Sequence, residues 1–301
     1  MANINDYCRP IRILIFLFLC LSLANACAST TNKASSTETG LLWEIRDQQS
    51  QRTSYLFGTI HSDDPRVTKI PPIVTFSFET SSLFILEVEL TQKNTKQAMQ
   101  AMFFTGNQTL EGILPTDLLN QCLKLLGQRG VSKQQAIKLK PWAVFTFLNT
   151  PNQEQAFLDQ ILYSNAKEKG IEIQGLESMA EQISVFDNLS MDIQVKLLQD
   201  SVNHFDELNH MLEQTIAVYL SRDLKRLEKF NQDYLTFTDE KTGQLLNDTL
   251  IIQRNYRMAK RLIPILQQHQ AFIAVGALHL PGETGLIQLL RNHGYQLKPL
   301  Y

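Results

Sequence analysis

The sequence predicts an α/β fold in which a central sheet is formed from the N- and C-terminal segments, with a large, mostly helical section between them. Three observations point there. Strand-like runs crowd between Leu41 and Leu90, helical periodicity takes over from Thr91 to about Gln268, and "QAFIAVGALHL" restores a buried-strand texture near the end. Composition agrees: of 301 residues, 44% are apolar and 19% charged, enough to bury a core without a disulfide framework. A formal charge of −2 offers no broad basic field, so no nucleic-acid partner is expected.

The first segment stands outside the fold. Arg9 and Arg12 precede the apolar run "ILIFLFLCLSLANA", which is too short for a comfortable membrane span and ends in an Ala-x-Ala pattern. Residues 1–26 are therefore expected to be a signal peptide, the other reading being a retained N-terminal anchor, and the protein is expected to be exported to the periplasm or cell envelope, or secreted. Cleavage there leaves Cys27 first, an acceptor for a lipid and hence for membrane attachment, although Asn25 and Leu23 fit a lipoprotein signal poorly. Residues 27–40 are polar and aperiodic, which predicts a flexible leader, and the domain is expected over 41–301.

Within the domain, strands are expected at Leu41 to Ile45, Ser54 to Ile60 and Leu83 to Leu90, the last two separated by a proline-containing loop and a short helix. The helical section, about 91–268, carries amphipathic runs punctuated by Gly130, Pro141 and Gly170, and encloses one short strand in "IEIQGL". The run from Met191 to Phe230 predicts one or two long helices, and Cys122 a small core residue. A final strand, a helix closed by Gly294 and an edge strand "YQLKPLY" complete the chain.

Two strands end alike. Gly58-Thr59-Ile60-His61 and Gly276-Ala277-Leu278-His279 repeat Gly-x-x-His at the carboxyl ends of predicted strands, where ligands gather in open α/β sheets. The strand "LFILEVE" places Glu87 and Glu89 near its own end. Two imidazoles and a carboxylate suit a divalent transition metal and leave positions open for water and substrate, although a histidine closing a strand is more commonly a turn or core residue. Asp63 and Asp64 are expected to cap the turn after His61, and Asp159 to be structural.

"YLFGTIHSDDP", "LFILEVE", "LDQILYSNAKEKGIEIQGLES", "QRNYRMA" and "FIAVGALHLPGETGLIQLLRNHGYQLKPL" resemble, in order, the blocks of the TraB/GumN family, which is related to the Tiki-type metalloproteases and more distantly to erythromycin esterase and ChaN-like proteins. The resemblance implies a metal set of His61, His279 and Glu87, with Glu87 preferred to Glu89. It also implies site roles for Arg254, as a clamp for substrate or developing charge, and for Asn255. Glu177 is either an acceptor for an imidazole N–H or an acid at a helix start. Leu278 stands where bacterial members commonly carry glycine. The activity implied is metal-dependent hydrolysis of a peptide or protein substrate, with Mn, Co or Zn as cofactor and Glu89 or Glu177 as proton acceptor. A haem- or metal-binding protein without catalysis, and a metal-free esterase-type hydrolase, are the alternatives.

Overall fold

The structure is a computed structural model describing residues 38–47, 52–150, 155–235 and 239–301. The expected signal peptide, Cys27 and most of the expected leader lie outside the described residues. Glu38 to Gly40 are tethered: Thr39 bridges Asp223, Gly40 N–H donates to the Arg222 carbonyl, and Glu38 pairs with Arg291. Order thus begins before Leu41, because each of these three residues finds a backbone or ionic partner far along the chain. Among the described residues no helix is long and apolar enough to cross a membrane.

The described chain divides into two compact units. The larger contains the strands and everything from Glu213 to Tyr301. Its sheet is built from β1 (Leu42–Asp47), β2 (Thr53–Thr59), β3 (Leu83–Leu86), β4 (Glu172–Gly175), β5 (Ala271–Gly276) and β6 (Tyr295–Pro299), in the order β4-β3-β5-β2-β1-β6. The first four of that order are mutually parallel, while β1 runs antiparallel to both β2 and β6. The sheet therefore joins N- and C-terminal segments, with β4 contributed by the middle.

Burial follows from sequence texture. Leu83 to Leu86 and Ala271 to Val275 are buried at every position, as continuous apolar runs in central parallel strands should be. Helix Pro72–Glu79 covers them through Phe78, whose ring meets Phe84 and Phe272 edge-on at 5.4 Å each. Prolines at 71 and 72 start that helix where a missing N–H costs nothing.

The smaller unit holds residues 90–150 and 179–212 and is helical. Trp142 stacks on Phe186 and donates its indole N–H to Asp187, while Arg129 caps the carbonyls of Phe147 and Leu148 at the end of helix Pro141–Asn149. Cys122 is buried there as a free thiol that desolvation pushes up to about 12.

Three boundaries differ from expectation. β3 stops at Leu86 and β5 at Gly276, so Glu87 and His279 lie beyond their strands, and Ala277–His279 form a tight 3₁₀ turn. His61 and His279 are therefore placed by loop geometry beyond the strand ends, since pairing ends where the chain must turn. The run from Met191 breaks into helices Met191–Asn203, Leu208–Ser221 and Leu224–Leu235. A 3₁₀ turn spans Phe205–Glu207, and Arg222 adopts φ 56°, after which Asp223 accepts from the N–H groups of Lys225 and Arg226 to start a new helix.

Candidate metal centre

Strand register brings four of the candidates to one edge of the sheet. Thr59 pairs with Gly276 across β2 and β5, Leu86 with Ala274 across β3 and β5, and Leu86 with Gly175 across β3 and β4. The residues that follow these ends, His61, His279, Glu87 and Glu177, all emerge at the carboxyl edge of the parallel strands. This is where such sheets bind ligands, because the loops there are free to vary.

The glycines of the two Gly-x-x-His segments have separate jobs. A Cβ on Gly58 would sit 2.7 Å from Leu280 Cδ1 and 3.1 Å from the backbone at Ala277, so only glycine lets β2 lie against the 3₁₀ turn that carries His279. A Cβ on Gly276 would stand 3.3 Å from Glu87 Oε1 and 3.6 Å from the His279 ring, inside the site itself. The Gly276 N–H donates to that same Glu87 oxygen at 2.8 Å.

His279 is 3% exposed and its Nδ1 lies 2.6 Å from Asn255 Oδ1. The amide cannot be flipped, because Asn255 Nδ2 donates to the Thr284 carbonyl at 2.8 Å. His279 Nδ1–H is therefore the donor, and Nε2 keeps its lone pair, 3.7 Å from Glu87 Oε1. Burial, reinforced by the Arg254 charge and only partly opposed by Glu87, drives the imidazole down to about 3, so the ring is neutral at pH 7.

Glu87 is held on both oxygens. Gly276 N–H reaches Oε1 and the Arg254 guanidinium reaches Oε2. Burial alone would raise its pKa, but Arg254, His279, the Gly276 N–H and His61 together hold it well below the usual carboxylate range. Arg254 itself is 4% exposed and also grips Glu177 through Nε at 2.9 Å and a terminal nitrogen at 2.7 Å.

The arginine comes from helix Gln253–Leu266, which follows a π-helical turn at Asp248–Ile252, a local widening common next to functional sites. On the same face, Arg257 reaches Glu177 at 3.3 Å and Arg261 donates to the Leu176 carbonyl. Three arginines at helical spacing thus fasten the loop after β4.

Placement amends the expected roles. Arg254, expected as a clamp for substrate or developing charge, is committed to two buried carboxylates and orients Glu87. Glu177 pairs with two guanidinium groups, while the His279 N–H goes to Asn255. Glu89 lies after Glu87 in the same loop, where its charge raises the Tyr163 hydroxyl behind the larger effect of burial. Asp64 caps helix Pro65–Thr68 and Asp63 accepts from the Gln155 N–H, so the aspartates after His61 shape its turn.

His61 has two close neighbours, one of them the Asp159 expected to be structural. Its ring meets Phe157 edge-on at 5.1 Å, and its Nε2 lies 3.6 Å from Asp159 Oδ2. Asp159, in the first turn of helix Leu158–Lys169, accepts from the Thr59 hydroxyl at 2.8 Å. The available signal was an acid two residues after an aromatic at a helix start, inside one of the blocks that carry the resemblance.

Among the described residues, no group of three or more His, Cys, Asp or Glu side chains stands close enough to hold an ion as it is. The polar ends form two pairs, His279 with Glu87 and His61 with Asp159. The donor chemistry nonetheless fits a divalent metal. Two ligands about 2.1 Å from one tetrahedral ion are about 3.4 Å apart, and the His279 Nε2 to Glu87 Oε1 separation is 3.7 Å with no hydrogen atom between them.

Comparison with known proteins gives one family. Its TraB/PrgY/gumN profile matches residues 41–299. Metalloprotease TIKI1 of Danio rerio is 26% identical over 89% of this chain and 64% of its own length. Metalloprotease TIKI2 of the same fish is 24% identical over 85% of this chain, so the chain spans just under two thirds of these first relatives, 60% for the second. YbaP of Escherichia coli (strain K12) is 24% identical over 80% of this chain and 88% of its own. These likenesses support a link to hydrolases of the metalloprotease type.

Proposed function

The chain belongs to the TraB/PrgY/gumN family, and from that premise we propose that it is a metal-dependent hydrolase cleaving peptide bonds in a peptide or protein substrate, in the periplasm or cell envelope. The observation that carries the reading is the state of His279. A fully buried imidazole, fixed by Asn255 with its Nε2 lone pair turned toward a buried carboxylate, is prepared to donate to a cation.

His61, His279 and Glu87 would hold a divalent ion, Mn, Co or Zn. When bound, that ion supplies Lewis acidity, lowering the pKa of its water and polarising the scissile carbonyl. Around it the chain's own groups do the positioning. Arg254 and the Gly276 N–H set the direction of Glu87, Asn255 fixes the His279 tautomer, and Phe157 limits the tilt of His61. Glu177 accepts guanidinium N–H bonds on both oxygens, which leaves Glu89 as the proton acceptor in this reading.

Peptide hydrolysis by the purified protein, measured with a chelator and after returning each metal separately, tests the proposal. Activity should vanish on chelation, return with one of the three ions, and be absent from His61→Ala and His279→Ala. Chelator-insensitive turnover would point instead to the metal-free hydrolase, and a Soret band to a haem carrier.

A further inference from the structure

We propose that Asp159 is a fourth ligand of this metal centre, entering beside His61. The inference rests on the metal-centre reading and extends it to a residue whose sequence context suggested scaffold.

The surroundings of the carboxylate suit a cation. Asp159 is 5% exposed, and its two oxygens are treated differently. Oδ1 takes the Thr59 hydroxyl at 2.8 Å, whereas Oδ2 is buried with no hydrogen-bond partner. A buried carboxylate oxygen without a donor is costly and uncommon. Among the described residues its ion-pair partner is His61, at 3.6 Å, beyond hydrogen-bond length. Among the described residues neither Arg nor Lys pairs with it, although Arg254 is shared by both Glu87 and Glu177.

The 3.6 Å between His61 Nε2 and Asp159 Oδ2 nearly repeats the 3.7 Å between His279 Nε2 and Glu87 Oε1. Both are close to the separation of about 3.4 Å expected for two ligands of one tetrahedral ion.

The placement is deliberate at the level of backbone. Thr59 is the last residue of β2 and orients Asp159 from a hundred positions away. Gln155 N–H on Asp63 docks the start of the Asp159 helix on the turn that carries His61. Strand end, turn and helix start together present both donors to one space.

Zinc titration by calorimetry and the visible spectrum of the cobalt-loaded chain, without substrate, test the inference. Wild type should bind one ion per chain with the weak visible bands of five-coordinate cobalt, four protein ligands and a water. Asp159→Asn should weaken zinc binding at least 100-fold, alter the cobalt bands, and leave the metal-free melting temperature unchanged or raised. Thr59→Val, which frees Asp159 to turn, should weaken binding about 10-fold. Unchanged affinity and spectrum in Asp159→Asn, with binding lost in His61→Ala and His279→Ala, would overturn the fourth ligand and leave the three-ligand centre standing. No binding by wild type would overturn both.

Discussion

The two halves of the candidate centre are built to different standards. On the Glu87 side both carboxylate oxygens have donors and the imidazole Nδ1 has its acceptor: Gly276 and Arg254 take the carboxylate, Glu177 balances the arginine, and Asn255 and Thr284 lock the imidazole. On the Asp159 side one hydroxyl serves one oxygen, the other oxygen is orphaned, and an aromatic edge supports the ring. The contrast separates a network that holds the fold from a carboxylate left with one donor. A fully satisfied network contributes to a single native state, whereas an unsatisfied buried oxygen stores a demand that binding can relieve.

The largest break should come from the satisfied half. Arg254→Ala would strand two buried carboxylates, and urea unfolding should show a loss of about 3–5 kcal/mol. The same substitution paired with Glu177→Gln should recover part of that loss, because one of the stranded charges is gone. Damage to the other half should be smaller. Thr59→Val removes a single hydrogen bond to a carboxyl group, and about 1.5–3 kcal/mol is the expected cost in the metal-free protein.

Acid should separate the halves further. The folded His279 ring refuses a proton until about 3, while the unfolded ring takes one near 6.5. Between those values the unfolded chain binds more protons, so His279 contributes stability that is present above 6.5 and lost as pH falls. Metal-free protein should therefore lose roughly 2 kcal/mol from this group between pH 6.5 and pH 5. His279→Gln should flatten that slope in a series of urea midpoints. The smallest effect belongs outside both halves: Asp64→Ala removes the cap of Pro65–Thr68 and should cost about 1 kcal/mol with little change in metal affinity.

How much of this was legible in sequence follows from distance along the chain. The continuous apolar runs of β3 and β5 and the switch to helical periodicity after Thr91 are local signals, and the sheet they imply is present. The Gly-x-x-His pair was visible because both segments repeat one short pattern. Where strands stop was less visible: β5 yields to a 3₁₀ turn at Ala277, since nothing in "VGALHL" marks the end of pairing.

The networks behind the site were hidden for a different reason. Arg254 finds Glu87 across 167 positions and Thr59 finds Asp159 across 100. No periodicity connects such residues, so nothing in the sequence around Arg254 announces the carboxylates it meets. Asp159 carried even less signal, because an acid in the first turn of a helix is ordinary wherever the macrodipole favours it.

Whether His61 and His279 serve a single ion is read directly by an anomalous difference map from crystals grown with cobalt. It should show one peak bonded to Nε2 of both histidines at about 2.1 Å, with Glu87 as a further ligand. A map with no peak between the rings, or with the metal on one histidine alone, would contradict a single shared ion.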